Sequence, residues 1–404
     1  MQRVLLVLLT LFALYACAPT LPHRPADEKP TLPIPEVEVE VEAETEELTD
    51  TLIMPEEIEP PPDPIVVDKE HAIQHIALLL PLRSPIFASA ASAVKQGFMA
   101  AARTEGQILP IQVYDNFNED NSVVSVYREA VSNGALAVVG PLTRNGVTAL
   151  AESRNTPVPT LSLNIVETAP AQNMYYFGMD IESEARQVAQ LASQQGLHEA
   201  IIITTRDQLS KRLQLAFEDE WDALGGKILR EVEFINSSTI FADITEIPGT
   251  AVFIAADANK ARLIRPYLSI NLPIYGTSRM FVGNTKTLLN YDLKNTRFVD
   301  MPWLLEADHP AVMIYPRAVP PLPIDKERLY ALGIDAYRLT RLLLFNRLEA
   351  SLPLDGVSGQ INLDGHILQR TATPAIFSQG QALLADAPAL PSIQMFPEQP
   401  SINP

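Results

Sequence analysis

HIALLLPLRSP, residues 75–85, opens the stretch that decides the fold. Ile76 to Leu80 is continuously apolar and breaks at Pro81. A short apolar run that stops at a turn is the pattern of a strand buried on both faces. Ile86 to Arg103 follows, Ala-rich and with helical spacing. PIQVYDN (110–116) reads as a second strand, SVVSVYREAVSNG (122–134) as a helix, and ALAVVGPLT (135–143) as a third strand ending at Gly140-Pro141. Short apolar strands alternating with helices imply βαβ units and a mainly parallel sheet in an α/β fold. Ligands of such sheets sit beyond the carboxyl ends of the strands. That places Arg83 to Pro85, Asp115 to Phe117 and Gly140 to Thr143 along one edge of a cleft.

The same grammar runs outward from there. RNGVTALAESR (144–154) is a helix, VPTLSLN (158–164) a strand, and IESEARQVAQLASQQG (181–196) a helix with Ile181, Ala185, Val188 and Leu191 on one apolar stripe. EAIIITTRD (199–207), the helix SKRLQLAFEDEWDALGG (210–226), KILREVEF (227–234), TAVFIAADANKARLIRPYL (250–268) and LPIYGTSRM (272–280) repeat the alternation. Two similar βα halves in one chain predict two lobes around a cleft. FVDMPWLL (298–305) reads as a crossing strand, and ERLYALGIDAYRLTRLLLFN (327–346) as an amphipathic helix. GVSGQINLDGHILQR (356–370) reads as a hairpin with Asp364-Gly365 at its turn. The expected first lobe is residues 73–177 with 305–352. The expected second lobe is 178–304 with 353–385, and 386–404 is a Pro-rich tail.

The chain has 404 residues, 34 of them Pro, and a net charge of −19. The acidity concentrates between Val37 and Glu59, where there is no Lys or Arg. That balance speaks against a nucleic-acid partner, whose phosphates require a basic footprint. Residues 17–72 read as an acidic, Pro-rich linker, extended by self-repulsion. The single cysteine, Cys17, excludes an intramolecular disulfide and a Cys-based zinc site.

Enzyme motifs fail one by one. Ser92-Ala-Val-Lys95 matches SxxK, but no KTG or Ser-Asp-Asn accompanies it, and Ser92 falls mid-helix in an Ala-rich packing segment. The six histidines form no HExxH and no paired set on a helix, so no metal site is expected. DNFNEDNS (115–122) puts Phe117 at the third position of a calcium loop and lacks the sixth-position glycine. The Gly140-Pro141-Leu142-Thr143 turn lacks the further glycines and the lysine of a phosphate loop. No catalytic residue and no cofactor are expected. The candidate cleft residues are Ser84, Leu142, Thr143, Ser162, Asn164, Thr277 and Ser278, mostly hydroxyls and amides at strand ends.

Residues 1–16 carry one positive charge and a short apolar run, the pattern of a secretory signal. LYAC (14–17) resembles the bacterial lipobox, with Tyr15 departing from the usual small or β-branched residue. That resemblance implies lipidation of Cys17, and Ala18 rather than Asp after it implies sorting to the outer membrane. The folded part resembles the LppC/LpoA family of lipoproteins, penicillin-binding protein activators, in the domain with a type I periplasmic-binding-protein fold. The residues that carry this are IALLLPL (76–82), VVGPLTRNGV (138–147), SEARQVAQ (183–190), AFEDEWDALGG (216–226), YGTSR (275–279), RLYALGIDAYRL (328–339) and GVSGQINLDGHILQR with FSQGQ (377–381). The resemblance spans about residues 73–384. It implies a lipid-anchored protein facing the periplasm that binds a class A penicillin-binding protein and stimulates transpeptidation. It supplies no catalytic residues. The family's better-known members carry a helical-repeat domain where this chain has its linker. Fold alone also allows a solute-binding protein for an amino acid, amide or muropeptide.

Overall fold

The computed structural model describes residues 73–115, 122–235, 238–241 and 243–385. Cys17, the expected leader and linker, and the tail from 386 lie outside the described residues, as do Asn116 and Phe117.

The first sheet is laid down by β1 (His75–Leu79), β2 (Ile111–Tyr114), β3 (Ala135–Val139), β4 (Thr160–Ser162) and β5 (Met174–Phe177). Between them run α1 (Ala88–Glu105), α2 (Ser122–Ser132) and α3 (Arg144–Glu152). β1 pairs in parallel with both β2 and β3. Its side chains alternate between two cores, as a strand's period of two requires. Ile76, Leu78 and Leu80 join one core with Val94, Phe98 and Tyr337. Ala77 and Leu79 join the other with Tyr127, Val147 and Tyr176. The unbroken apolar run of β1 therefore has a partner layer on each face.

The chain then crosses into α4 (Ile181–Gln194), β6 (Glu199–Thr204), α5 (Gln208–Ala223), β7 (Lys227–Glu233), β8 (Thr250–Ile254), α6 (Ala258–Ile264) and β9 (Ile274–Gly276). β6 repeats the logic of β1, with Ile201 and Ile203 in one core and Ala200 and Ile202 in another. Asp207 caps α5 by accepting from the Ser210 amide at 2.8 Å. After α7 (Thr287–Tyr291), β10 (Thr296–Asp300) lies parallel to β9. The chain returns through α8 (Pro302–Leu305) and α9 (Pro310–Met313) to α10 (Ile324–Leu344). α10 rests on α1 at a close crossing, because neither Gly97 nor Gly333 carries a Cβ. One added at Gly97 would lie 1.9 Å from the Tyr330 carbonyl oxygen, and one at Gly333 2.1 Å from that of Val94.

β11 (Leu354–Gly356), β12 (Gly359–Asp364), β13 (Ile367–Thr371), β14 (Thr373–Ser378) and β15 (Gln381–Leu384) complete the chain. The first sheet is eight-stranded, ordered β11-β12-β13-β5-β4-β3-β1-β2, and the second seven-stranded, ordered β15-β14-β10-β9-β8-β6-β7. This corrects the expected lobe assignment of residues 353–385. The β12–β13 hairpin belongs to the first sheet, with β13 parallel to β5, and Ile361 and Leu368 enter the first lobe's core. Only β14 and β15 join the second sheet. The sequence locates the hairpin and its turn but not the sheet that it joins.

Candidate functional site

The structure places the seven candidate residues at or near strand ends, but it spends most of their polar groups internally. The Ser84 hydroxyl accepts from the amides of Ile86 and Phe87, closing the turn before α1. Thr143 caps α3, its Oγ1 accepting from the Gly146 amide at 3.2 Å. Leu142 is buried, and its carbonyl accepts from Asn164 Nδ2 at 3.0 Å. Asn164 Oδ1 in turn accepts from the Ile165 amide. Ser162 is fully buried and donates to the Tyr175 carbonyl at 3.0 Å. Thr277 is also fully buried, and its Oγ1 has no partner. Ser278 gives its amide to Glu184 and its carbonyl to Arg328. Gly140, at φ +107°, lets the end of β3 approach β1, since a Cβ there would lie 2.1 Å from the Leu79 carbonyl oxygen. Arg83 reaches Asp115 at 3.2 Å and ties the ends of β1 and β2 together. Ser92 Oγ accepts from Gln96 Nε2 on the same helix at 3.2 Å.

The ionisable groups gather instead where the chain passes between lobes. There are three crossings: residues 178–180 between β5 and α4, 300–302 between β10 and α8, and Ala372 between β13 and β14. At the second, Arg328 of α10 grips Asp300 with Nε and Nη2, the latter at 2.6 Å. The same Nη2 donates to the carbonyls of Ser278 and Phe281, and Nη1 donates to Asp325 at 2.9 Å. One guanidinium thus joins the first lobe's long helix, the crossing strand and a second-lobe loop. At the third crossing, Arg370 donates to the Gly178 carbonyl at 3.0 Å and the Ser358 carbonyl at 2.8 Å, tying it to the first crossing. Gln187 of α4 donates to the Arg370 carbonyl and accepts from the Ala372 amide. Asp335, fully buried in α10, accepts from the amides of Val357 and Ser358 and from the Ser358 hydroxyl.

Glu184 completes this hub from α4, with Oε2 accepting from the Ser278 amide at 3.1 Å. Burial pushes its carboxyl up to about 7, and the Asp300 charge adds to the rise, against the opposing pull of Arg370 and Arg328. Burial alone would depress Arg328, yet the Asp300 charge outweighs it and holds the guanidinium protonated. Buried charges persist only when paired and hydrogen-bonded, and here the guanidinium donors end on the carboxylates of Asp300 and Asp325 and on the carbonyls of Gly178, Ser278, Phe281 and Ser358. None of these ionisable residues was among the sequence candidates, although Ser278, whose backbone Glu184 and Arg328 bind, was. Their signal was present as an ionisable side chain inside an apolar run: Asp335 in ALGIDAYRL, Asp300 in FVDMPW, Arg370 ending the hairpin. Among the described residues no group of three or more His, Cys, Asp or Glu is disposed to hold a metal ion. No described helix is long and apolar enough to cross a membrane.

Two mainly parallel sheets joined by three crossings define the class of type I periplasmic-binding-protein-like domains. A family model described as "LppC putative lipoprotein" matches residues 64–249 and 245–380, and the chain belongs to the LppC lipoprotein family. The proteins named penicillin-binding protein activator LpoA from Pantoea ananatis and Photobacterium profundum are relatives. The first is 26% identical over 380 residues, covering 80% of this chain and 56% of its own length. The second is 24% identical over 349 residues, covering 76% and 56%. The chain therefore spans a little over half the length of these relatives. Full-length LpoA from Haemophilus influenzae has the same fold, with a TM-score of 0.67 at 24% identity over 78% of this chain and 59% of that one. A Chromobacterium violaceum structure described as "a putative branched-chain amino acid ABC transporter" aligns at a TM-score of 0.66 and 37% identity, covering 75% of this chain and 99% of that one.

Proposed function

We propose that this chain is a tethered, non-enzymatic activator of a class A penicillin-binding protein, which it binds to stimulate peptidoglycan transpeptidation. The observation that carries the reading is the family match across nearly all of the described domain, with curated relatives named as activators rather than enzymes. In this reading Cys17 is lipidated in the outer membrane, and residues 17–72 let the domain of residues 73–385 reach its partner in the periplasm. At ~3.1 Å per residue, such a linker extends on the order of 150 Å and raises the local concentration of the domain near the synthase. The domain stimulates by binding the active state of the synthase better than the inactive one. The test is binding of residues 73–385 to a class A penicillin-binding protein, with crosslinking measured alongside. Micromolar or tighter binding with faster crosslinking supports the reading. Absence of both overturns it.

A second reading is a periplasmic solute-binding protein, and the 37% identity to the Chromobacterium structure is the observation in its favour. Against it, most candidate cleft hydroxyls and amides already serve the chain's own backbone. A rise in melting temperature with an amino acid, lost on Thr143→Ala, would decide for this reading.

A further inference from the structure

A second recess between the lobes, of about 620 Å³, is lined by none of the seven cleft residues. One wall is first-lobe: Arg144 at the start of α3, and Asn362 and Gln369, which face each other across the β12–β13 hairpin. The other wall is the outward face of α4, with Glu182 and Arg186, entered at Asp180. Its volume is within the range of small-molecule sites.

The charges around it are incompletely matched. Glu182 Oε1 serves both Arg212 and, at 3.6 Å, Arg144, while its Oε2 is buried without a donor. Arg186 stands 4.0 Å from Asp180. Arg144 and Arg186 are 50% and 42% exposed at the side chain, so both keep donors free for an incoming acceptor. A buried carboxylate oxygen lacking a donor is a standing cost that a ligand N–H relieves. Asp180 is pushed up to about 6 by burial first and then by the neighbouring Glu182 carboxylate, so two negative charges side by side are disfavoured here. An ammonium group placed between them offsets that repulsion and gives Glu182 Oε2 the donor it lacks.

The rest of the lining narrows the ligand. Glu167 and Glu220 add further negative charge, which disfavours phosphates, and no aromatic ring is present on which a base or sugar would stack. The amides of Asn362 and Gln369 match the donors and acceptors of any peptide backbone. We propose that this recess is a binding site for a short zwitterionic peptide, its ammonium held by Asp180 and Glu182 and its carboxylate by Arg144 and Arg186. Because the walls come from both lobes, an occupant fixes the angle between them. The proposal is independent of any penicillin-binding partner.

Triglycine, N-acetyltriglycine and triglycinamide, titrated calorimetrically into the full-length chain, test it. Triglycine binds, and blocking either end weakens binding tenfold or more. Asp180→Asn, which preserves shape, and the double variant Arg144→Ala/Arg186→Ala each weaken triglycine tenfold or more at unchanged melting temperature. Thr143→Ala, in the other cleft, leaves triglycine binding as it was. No heat of binding at about 10 mM triglycine overturns the proposal. So does binding that survives both recess variants, or that is lost only with Thr143→Ala.

Discussion

The rim of the candidate cleft and the hinge beside it are built from opposite materials. The rim uses neutral hydroxyls and amides, each bonded close by: Thr143 to Gly146, Ser84 to Phe87, Asn164 to Leu142. The hinge uses buried charges whose bonds reach 50 residues along the chain from Arg328 to Ser278 and 192 from Arg370 to Gly178. A capping hydroxyl stabilises one helix end and is replaceable. A buried guanidinium bonded to two carbonyls and to the carboxylates of Asp300 and Asp325 is not, since removing it withdraws a donor from all four at once. The chemistry that holds the two lobes together is thus concentrated in the crossings, and the rim is left with local duties.

That contrast makes quantitative demands. Arg328→Met leaves Asp300 and the Ser278 and Phe281 carbonyls buried without their donor. Urea denaturation should register a loss of about 3–5 kcal/mol. A loss below about 1 kcal/mol would erase the distinction between hinge and rim.

The next largest effect is tied to pH. The folded state holds the Glu184 proton up to about 7, whereas the free carboxyl gives it up near 4.5. The unfolded state thus binds fewer protons across this window, so stability is greatest below it and falls as pH rises from 4.5 to about 7, then levels. Glu184→Gln keeps an acceptor for the Ser278 amide and should remove that slope, up to about 3 kcal/mol across the window. Identical pH profiles for the two proteins would place Glu184 outside the hub's electrostatics.

Thr143→Ala should cost least, about 1 kcal/mol for the lost cap of α3, read as a small shift of the thermal midpoint. A cost matching that of Arg328→Met would mean that the rim, too, is part of what joins the lobes.

Much of the fold was legible in residue order. The run at 76–80 announced a strand buried on both faces, and the run at 199–207 announced the strand β6. The candidate site was legible only in part. Strand ends were located, yet the hydroxyls of Ser84, Thr143 and Ser162 there turned out to be internally bonded, because a sequence reveals that a polar group exists and not whether a neighbour has already claimed it. Arg328, Asp300, Glu184 and Arg370 were hidden for a related reason. Arg328 lies 50 residues from Ser278, and Arg370 lies 192 from Gly178. No local spacing links them.

By itself the sequence determined the alternation of strands and helices and the doubling into two lobes, because periodicity acts within a few residues, and the order of its quoted stretches carried the resemblance to the family. Only the tertiary structure decided that the hairpin at 359–371 belongs to the first sheet, and that four charged side chains far apart in the chain converge on three crossings. Burial on one face of a strand is a local property. The partner across that face is set by how the crossings bring distant segments together.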